Sequence, residues 1–102
     1  MGVKIWVDDI RIPPLDCTWC KTYKQAIFTL DALVACNEEI DLICLDHDLG
    51  EDKSGYDVAK HIVEYQIPIK EFYIQSKNPV GQFNIRQLLT HYGYKERYNY
   101  EG

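Results

Sequence analysis

The sequence predicts a small α/β domain with a mostly parallel sheet. Three observations point there: short apolar runs that alternate with amphipathic stretches, acidic residues placed directly after two of those runs, and a length that suits one domain. Val3 to Asp8 reads as the first strand, and the prolines of Ile10-Arg11-Ile12-Pro13-Pro14-Leu15-Asp16 exclude a regular helix after it. Cys17 to Lys21 is a short second strand. Thr22 with Gln25 forms a capping box, and Ala26, Ile27, Leu30, Leu33 and Val34 follow at helical spacing to a helix end near Asn37.

Asp41 to Asp46 is the next strand, followed by an acidic loop that runs to Ser54-Gly55. Val58, Ala59, Ile62 and Val63 mark a second amphipathic helix, closed by Pro68, and Glu71 to Gln75 reads as a further strand. Asn78-Pro79 is a helix start, with Asn78 as N-cap and proline at the first helical position. Ile85, Leu88, Leu89 and Tyr92 give that helix its core face, and Gly93 supplies a left-handed stop. Lys95 to Tyr100 would be a last, edge strand. Alternation of this kind implies a small flavodoxin-like domain that spans residues 1–102.

The totals limit the functions open to the chain. With 102 residues, 46% hydrophobic, and eight tyrosines, two tryptophans and three phenylalanines, it can bury a core and is not disordered. A net charge of −5 argues against general binding of a nucleic-acid backbone, which needs a basic face. No stretch reaches the roughly 20 apolar residues of a membrane span. Met1-Gly2-Val3-Lys4 carries no signal-peptide pattern, and Trp6 stands where a myristoylation motif needs Ser or Thr. The sequence therefore reads as a soluble, cytoplasmic protein. Of the four cysteines, Cys17 and Cys20 have the spacing of half a zinc or redox motif, but Cys36 and Cys44 form no second close pair. All four are expected to be structural thiols.

Chemistry concentrates at the carboxyl ends of the strands, where a parallel sheet presents its functional groups. Asp8, Asp9, Asp46 and Asp48 would converge there and repel one another without a cation between them, which suggests Mg2+ or another divalent metal. His47 lies between Asp46 and Asp48 and is a candidate for proton transfer. His61 and His91 are expected at the surface. Ser76-Lys77-Asn78-Pro79-Val80-Gly81 opens the third helix, where the amides of Val80 and Gly81 could cradle a phosphate. Gly81 would admit the ligand close to the backbone, Ser76 would donate to it, and Arg11 or Lys77 would neutralise it. Asn84, one turn on, would point back into the same pocket.

These residues resemble the receiver superfamily of two-component signalling, with Asp8-Asp9 at its magnesium position, Asp46 at its phosphoacceptor and Ser76 at its hydroxyl position. Three departures stand out: the Pro13-Pro14 loop in place of the first helix, no lysine after a fifth strand, and the added His47-Asp48. The chain is more closely similar to a receiver-like family named for cyclic-phosphate processing. The matching segments are Asp8 to Pro14, Trp19, Leu45 to Gly50, Gly55-Tyr56-Asp57 and Ser76 to Ile85. The resemblance implies a three-layer sandwich of about five strands that lacks the first and last receiver helices. It implies a metal-dependent phosphoesterase acting on a cyclic phosphate or nucleotide-derived phosphodiester. Asp46, His47, Arg11 and Ser76 would then be catalytic, Asn78, Val80, Gly81, Asn84 and Lys77 would bind substrate, and Asp8, Asp9, Asp46 and Asp48 would hold the metal. Gln75 stands where many members have histidine, which keeps open a non-catalytic module that binds a phosphate or nucleotide, or a receiver-type signalling module. The partner would be a small phosphorylated or cyclic-nucleotide ligand, and the tyrosine-rich terminal edge makes a homodimer possible.

Overall fold

A computed structural model describes residues 2–100. Four strands, β1 (Val3–Val7), β2 (Cys17–Cys20), β3 (Ile40–Leu45) and β4 (Glu71–Ile74), form one parallel sheet in the order β2-β1-β3-β4. Three helices connect or follow them: α1 (Tyr23–Ala35), α2 (Gly55–Glu64) and α3 (Pro79–His91). The α/β class and the receiver-like plan are those the sequence predicts, with four strands among the described residues.

Each helix starts on a local signal. Thr22 accepts from the Gln25 amide, while Gln25 Oε1 takes the Lys21 amide rather than that of Thr22, so the expected box is not closed on itself. A full capping box forms instead at α2, between Ser54 and Asp57. Asn78 caps α3 with Pro79 at its first position, and Gly93 follows the helix with φ +89°.

Side-chain alternation along the strands sorts the residues into two faces. Ile5, Val7, Cys20, Ile43, Leu45 and Phe72 point to one face, where Ala26 and Leu30 of α1, Val58 and Ile62 of α2, and Ile85 and Leu89 of α3 pack on them. Trp6, Leu42 and Cys44 point to the other, joined by Cys17, Trp19, Tyr73 and Tyr100. Helices thus cover one face only, and the expected third layer is corrected to a thin cover of aromatic side chains. Its cause is local: the Pro13-Pro14 loop cannot be helical, and no helix follows α3 among the described residues.

The predicted edge strand reduces to one parallel bridge between Phe72 and Glu96, made by Phe72 N–H to Lys95 O and Arg97 N–H to Phe72 O. The segment then bends so that Tyr100 reaches the rings of Trp6 and Tyr73, with centroids 6.0 and 6.3 Å apart. Ion pairs hold it in place, Arg97 with Glu71 and Arg86 with Glu96, each at 2.7 Å. Tyr92, expected in the core, is exposed, whereas Tyr94 enters it and donates to Ile67 O at 2.7 Å. His61 is not a free surface residue: it lies 2.8 Å from Asp31 and ties α2 to α1. Cys17 and Cys20 are three apart on a strand, so they face opposite sides of the sheet and share no site.

The turn from β3 into α2 depends on Gly55. A Cβ there would lie 2.1 Å from the carbonyl oxygen of Asp46, and the Gly55 amide donates to His47 O at 2.9 Å. Gly55→Ala should destabilise the protein by about 1–3 kcal/mol, because backbone rather than a movable side chain blocks the methyl. Urea unfolding measures this, and a midpoint equal to wild type would refute it.

Candidate functional site

The sheet order puts β1 and β3 side by side at its centre, so Asp8 and Asp46 emerge together at their carboxyl ends. Asp8, Asp9 and Asp46 each bring one carboxylate oxygen within 4.8 Å of the others. Asp8 and Asp46 are buried, and Oδ1 of Asp9 is buried with no hydrogen-bond partner. A buried carboxylate oxygen without a partner is costly unless something positive fills the place.

Asp8 also builds the loop around it. Its Oδ1 accepts the amides of Ile10 and Arg11, both at 2.9 Å, and its Oδ2 accepts Arg11 Nη1 at 2.9 Å and Gln75 Nε2 at 3.2 Å. Burial opposes the charge on Asp8, but the Arg11 and Ile10 amides, with the Arg11 guanidinium and Gln75, outweigh it and hold the carboxyl below its ordinary value. Asp46 is the opposite case: burial and then the charge of Asp8 push its carboxyl up, and Arg11 Nη1 at 3.5 Å offsets this only in part. Arg11 is therefore the internal counter-charge of the acid pair.

Asp48 does not join these three. It is exposed, and its carboxylate lies 3.0 Å from His47 Nδ1 and accepts from Asn78 Nδ2 at 3.4 Å. The hydrogen bond with His47 holds its carboxyl below the ordinary value. Asp48 still lines the same cleft, of about 550 Å³, together with Asp9, Arg11, Asp46 and Lys77. The structure thus places it beside His47 rather than in the acid cluster.

The start of α3 also differs in detail. Asn78 Oδ1 accepts the Gly81 amide at 3.0 Å, so that amide serves the cap. A Cβ on Gly81 would lie 2.3 Å from the ring carbon Cγ of His47, so the glycine makes room for His47 rather than for a ligand. Ser76 is buried, and its hydroxyl accepts the Asn78 amide at 3.1 Å. Val80 is exposed on the first turn, and Lys77 reaches the acidic cleft. Asn84 does not turn back into that cleft; it lines a separate groove with Tyr56, Gln87 and His91. One helical turn carries it past the mouth of the site.

Three further side chains brace the site through contacts that motif spacing does not show. Gln75 donates to Asp8, and the indoles of Trp6 and Trp19 donate to Arg11 O at 3.0 Å and Asp8 O at 2.7 Å. The family resemblance marked Trp19 and Gln75, and for the indoles the chemical signal was that a buried tryptophan N–H needs an acceptor. A second cleft, of about 530 Å³, lies at the opposite end of the strands among Val34, Asn37, Pro68 and Tyr94, far from the acids.

A parallel sheet with an acid cluster at its central carboxyl edge, a serine after β4 and no covering helix between β1 and β2 defines a receiver-like domain. The model of the cyclic-phosphate processing receiver domain matches residues 3–91, and the chain belongs to that family. Comparisons with curated proteins and with solved structures each found no match. Among the described residues, no helix is long and apolar enough to cross a membrane.

The raised Asp46 carboxyl has a stability consequence. Its folded-state value lies above its unfolded one, so its contribution is fully present at acid pH and is lost as the pH rises through the folded value. At neutral pH without metal, Asp46→Asn should raise the melting temperature by roughly 3 °C. The gain should shrink as the pH falls towards 4. A neutral-pH melting temperature below wild type would contradict this account.

Proposed function

We propose that this protein is a metal-dependent phosphoesterase that processes a cyclic phosphate or a nucleotide-derived phosphodiester. The observation that carries the reading is the partnerless Asp9 Oδ1, set against Asp8 and Asp46 in a cleft that also holds Arg11 and Lys77. Three carboxylates suit a hard divalent cation such as Mg2+, which takes oxygen ligands and keeps several waters. Asp9 and Asp46, with Asp8, would hold it. When bound, it would supply Lewis-acid polarisation of a phosphoryl oxygen and lower the pKa of a water.

The chain's own groups fill the remaining roles. Arg11 has a planar fork suited to two phosphate oxygens, and Lys77 adds a second positive charge at the rim. Ser76 accepts the Asn78 amide, which leaves its hydroxyl proton to donate to a phosphoryl oxygen. With Nδ1 turned to Asp48, His47 presents Nε2 as the nitrogen that carries a proton to or from substrate. Asp48 and Gly81 fix that ring, one by hydrogen bond and one by leaving space. Asn78 sets the start of α3, and the Val80 amide remains as the first-turn donor for phosphate.

Gln75 favours a second reading, a module that holds its ligand without turnover. Its amide cannot exchange a proton near neutral pH, and it is spent on Asp8 and Val7 O. A screen of cyclic mononucleotides, cyclic oligonucleotides and 2′,3′-cyclic phosphate ends, with and without Mg2+, separates the two when products are followed by mass. Hydrolysis should require the metal and fall by about a hundredfold or more in Asp46→Asn. Asp48→Asn should act chiefly on kcat through His47. Equal turnover by wild type and Asp46→Asn would dismiss the esterase reading, whereas recovery of intact ligand from the complex would support the binding module.

A further inference from the structure

The loop that carries Asp8, Asp9 and Arg11 is fastened from the side of the sheet that no helix covers. Trp6 and Trp19 are register partners on β1 and β2, and both point to that face. Each indole N–H reaches forward to a loop carbonyl, Trp19 Nε1 to Asp8 O at 2.7 Å and Trp6 Nε1 to Arg11 O at 3.0 Å. The two carbonyls bracket the turn whose amides, Ile10 and Arg11, fill Asp8 Oδ1 from the inside. The loop is therefore held at both ends by indoles and at its centre by a carboxylate. A receiver-like plan with a helix between these strands would brace the segment by helix packing; here Pro13 and Pro14 prevent that.

We propose that Trp19 and Trp6 are positioning residues for the acidic site: their indole N–H groups fix the backbone of the Asp8–Arg11 loop, and so set where Asp9 and Arg11 stand. Neither ring is among the residues that line the acidic cleft, so they act only through the loop. Tyr100 supports them from behind: its ring meets Trp6 edge-on at 6.0 Å, and its hydroxyl donates to Asp16 Oδ1 at 3.1 Å, at the far end of the same loop. Asp16 is in turn paired with Lys4 at 2.9 Å. The metal consequence rests on the reading of Asp8, Asp9 and Asp46 given above; the backbone consequence does not.

The test uses Trp19→Phe and Trp6→Phe in the full chain, with a benzothienylalanine replacement at position 19 that keeps the ring shape and removes only the N–H. Amide hydrogen exchange is followed by NMR, and Mn2+ and Mg2+ affinity by calorimetry. The Ile10 and Arg11 amides should exchange roughly tenfold faster in each variant, the scale of one side chain–backbone hydrogen bond. The amides of Ile43 and Leu45 in β3 should keep their wild-type rates, which a general loss of stability would not allow. Metal affinity should fall about tenfold in parallel, and the benzothienylalanine protein should behave like Trp19→Phe. Unchanged exchange at Ile10 and Arg11 overturns the proposal, as does acceleration spread evenly through β3. A wild type that binds neither ion counts against the metal reading alone, because the exchange data still decide whether the indoles hold the loop.

Discussion

The fully buried carboxylate of Asp8 is the constraint on which the acidic edge of this protein depends. It ends the strand at the sheet's centre, and four donors converge on it: two amides of the following loop, the Arg11 guanidinium and the Gln75 amide. Those bonds hold the Asp8 carboxyl below its ordinary value although burial pushes it the other way. Burial and then the charge of Asp8 raise the carboxyl of Asp46, and that charge retains Arg11 nearby. One buried charge thus sets the loop's shape and the position of the counter-charge, beside a cluster of three carboxylates that could hold a metal ion.

The sheet is unequal on its two sides, and the difference bears on how the acidic loop is held. Three helices bury one face, while the other is closed by two tryptophans, two tyrosines and small apolar residues. The bent segment after α3 contributes Tyr100 to that cover and is itself tied down by Arg97 and Arg86. Aromatic residues suit this place because each combines a large apolar ring with a polar tip that can reach a backbone or side-chain acceptor. The same side chains that seal the thin face therefore also reach the loop of the site.

Close approach explains the other half of the cleft. The loop after β3 passes between the starts of α2 and α3, and at both crossings only glycine fits: Gly55 under the Asp46 carbonyl, Gly81 against the His47 ring. The Asp48 carboxylate bridges the gap by touching both His47 and the Asn78 cap. His47 is thereby locked between two helix starts.

Much of this was legible in the chain itself. Strand alternation, the caps at Thr22 and Asn78, the prolines at 13 and 14 and the acids after two apolar runs are local signals, and each acts within a few residues of where it is read. They determine the α/β class, the helix starts and the meeting of Asp8 with Asp46 at one edge, and the family resemblance follows from the same segments. Contacts across the fold decided the rest. Asp48 turns to His47 rather than to the acids because loop side chains take their direction from distant partners, here Asn78. Asn84 misses the cleft because α3 rotates it into a groove beside Tyr56. Gly81 serves His47, and two indoles serve the acidic loop, because the sheet order brings together segments that sequence spacing leaves apart. Local chemistry wrote the elements and the acids, and only packing could say which side chains share the site.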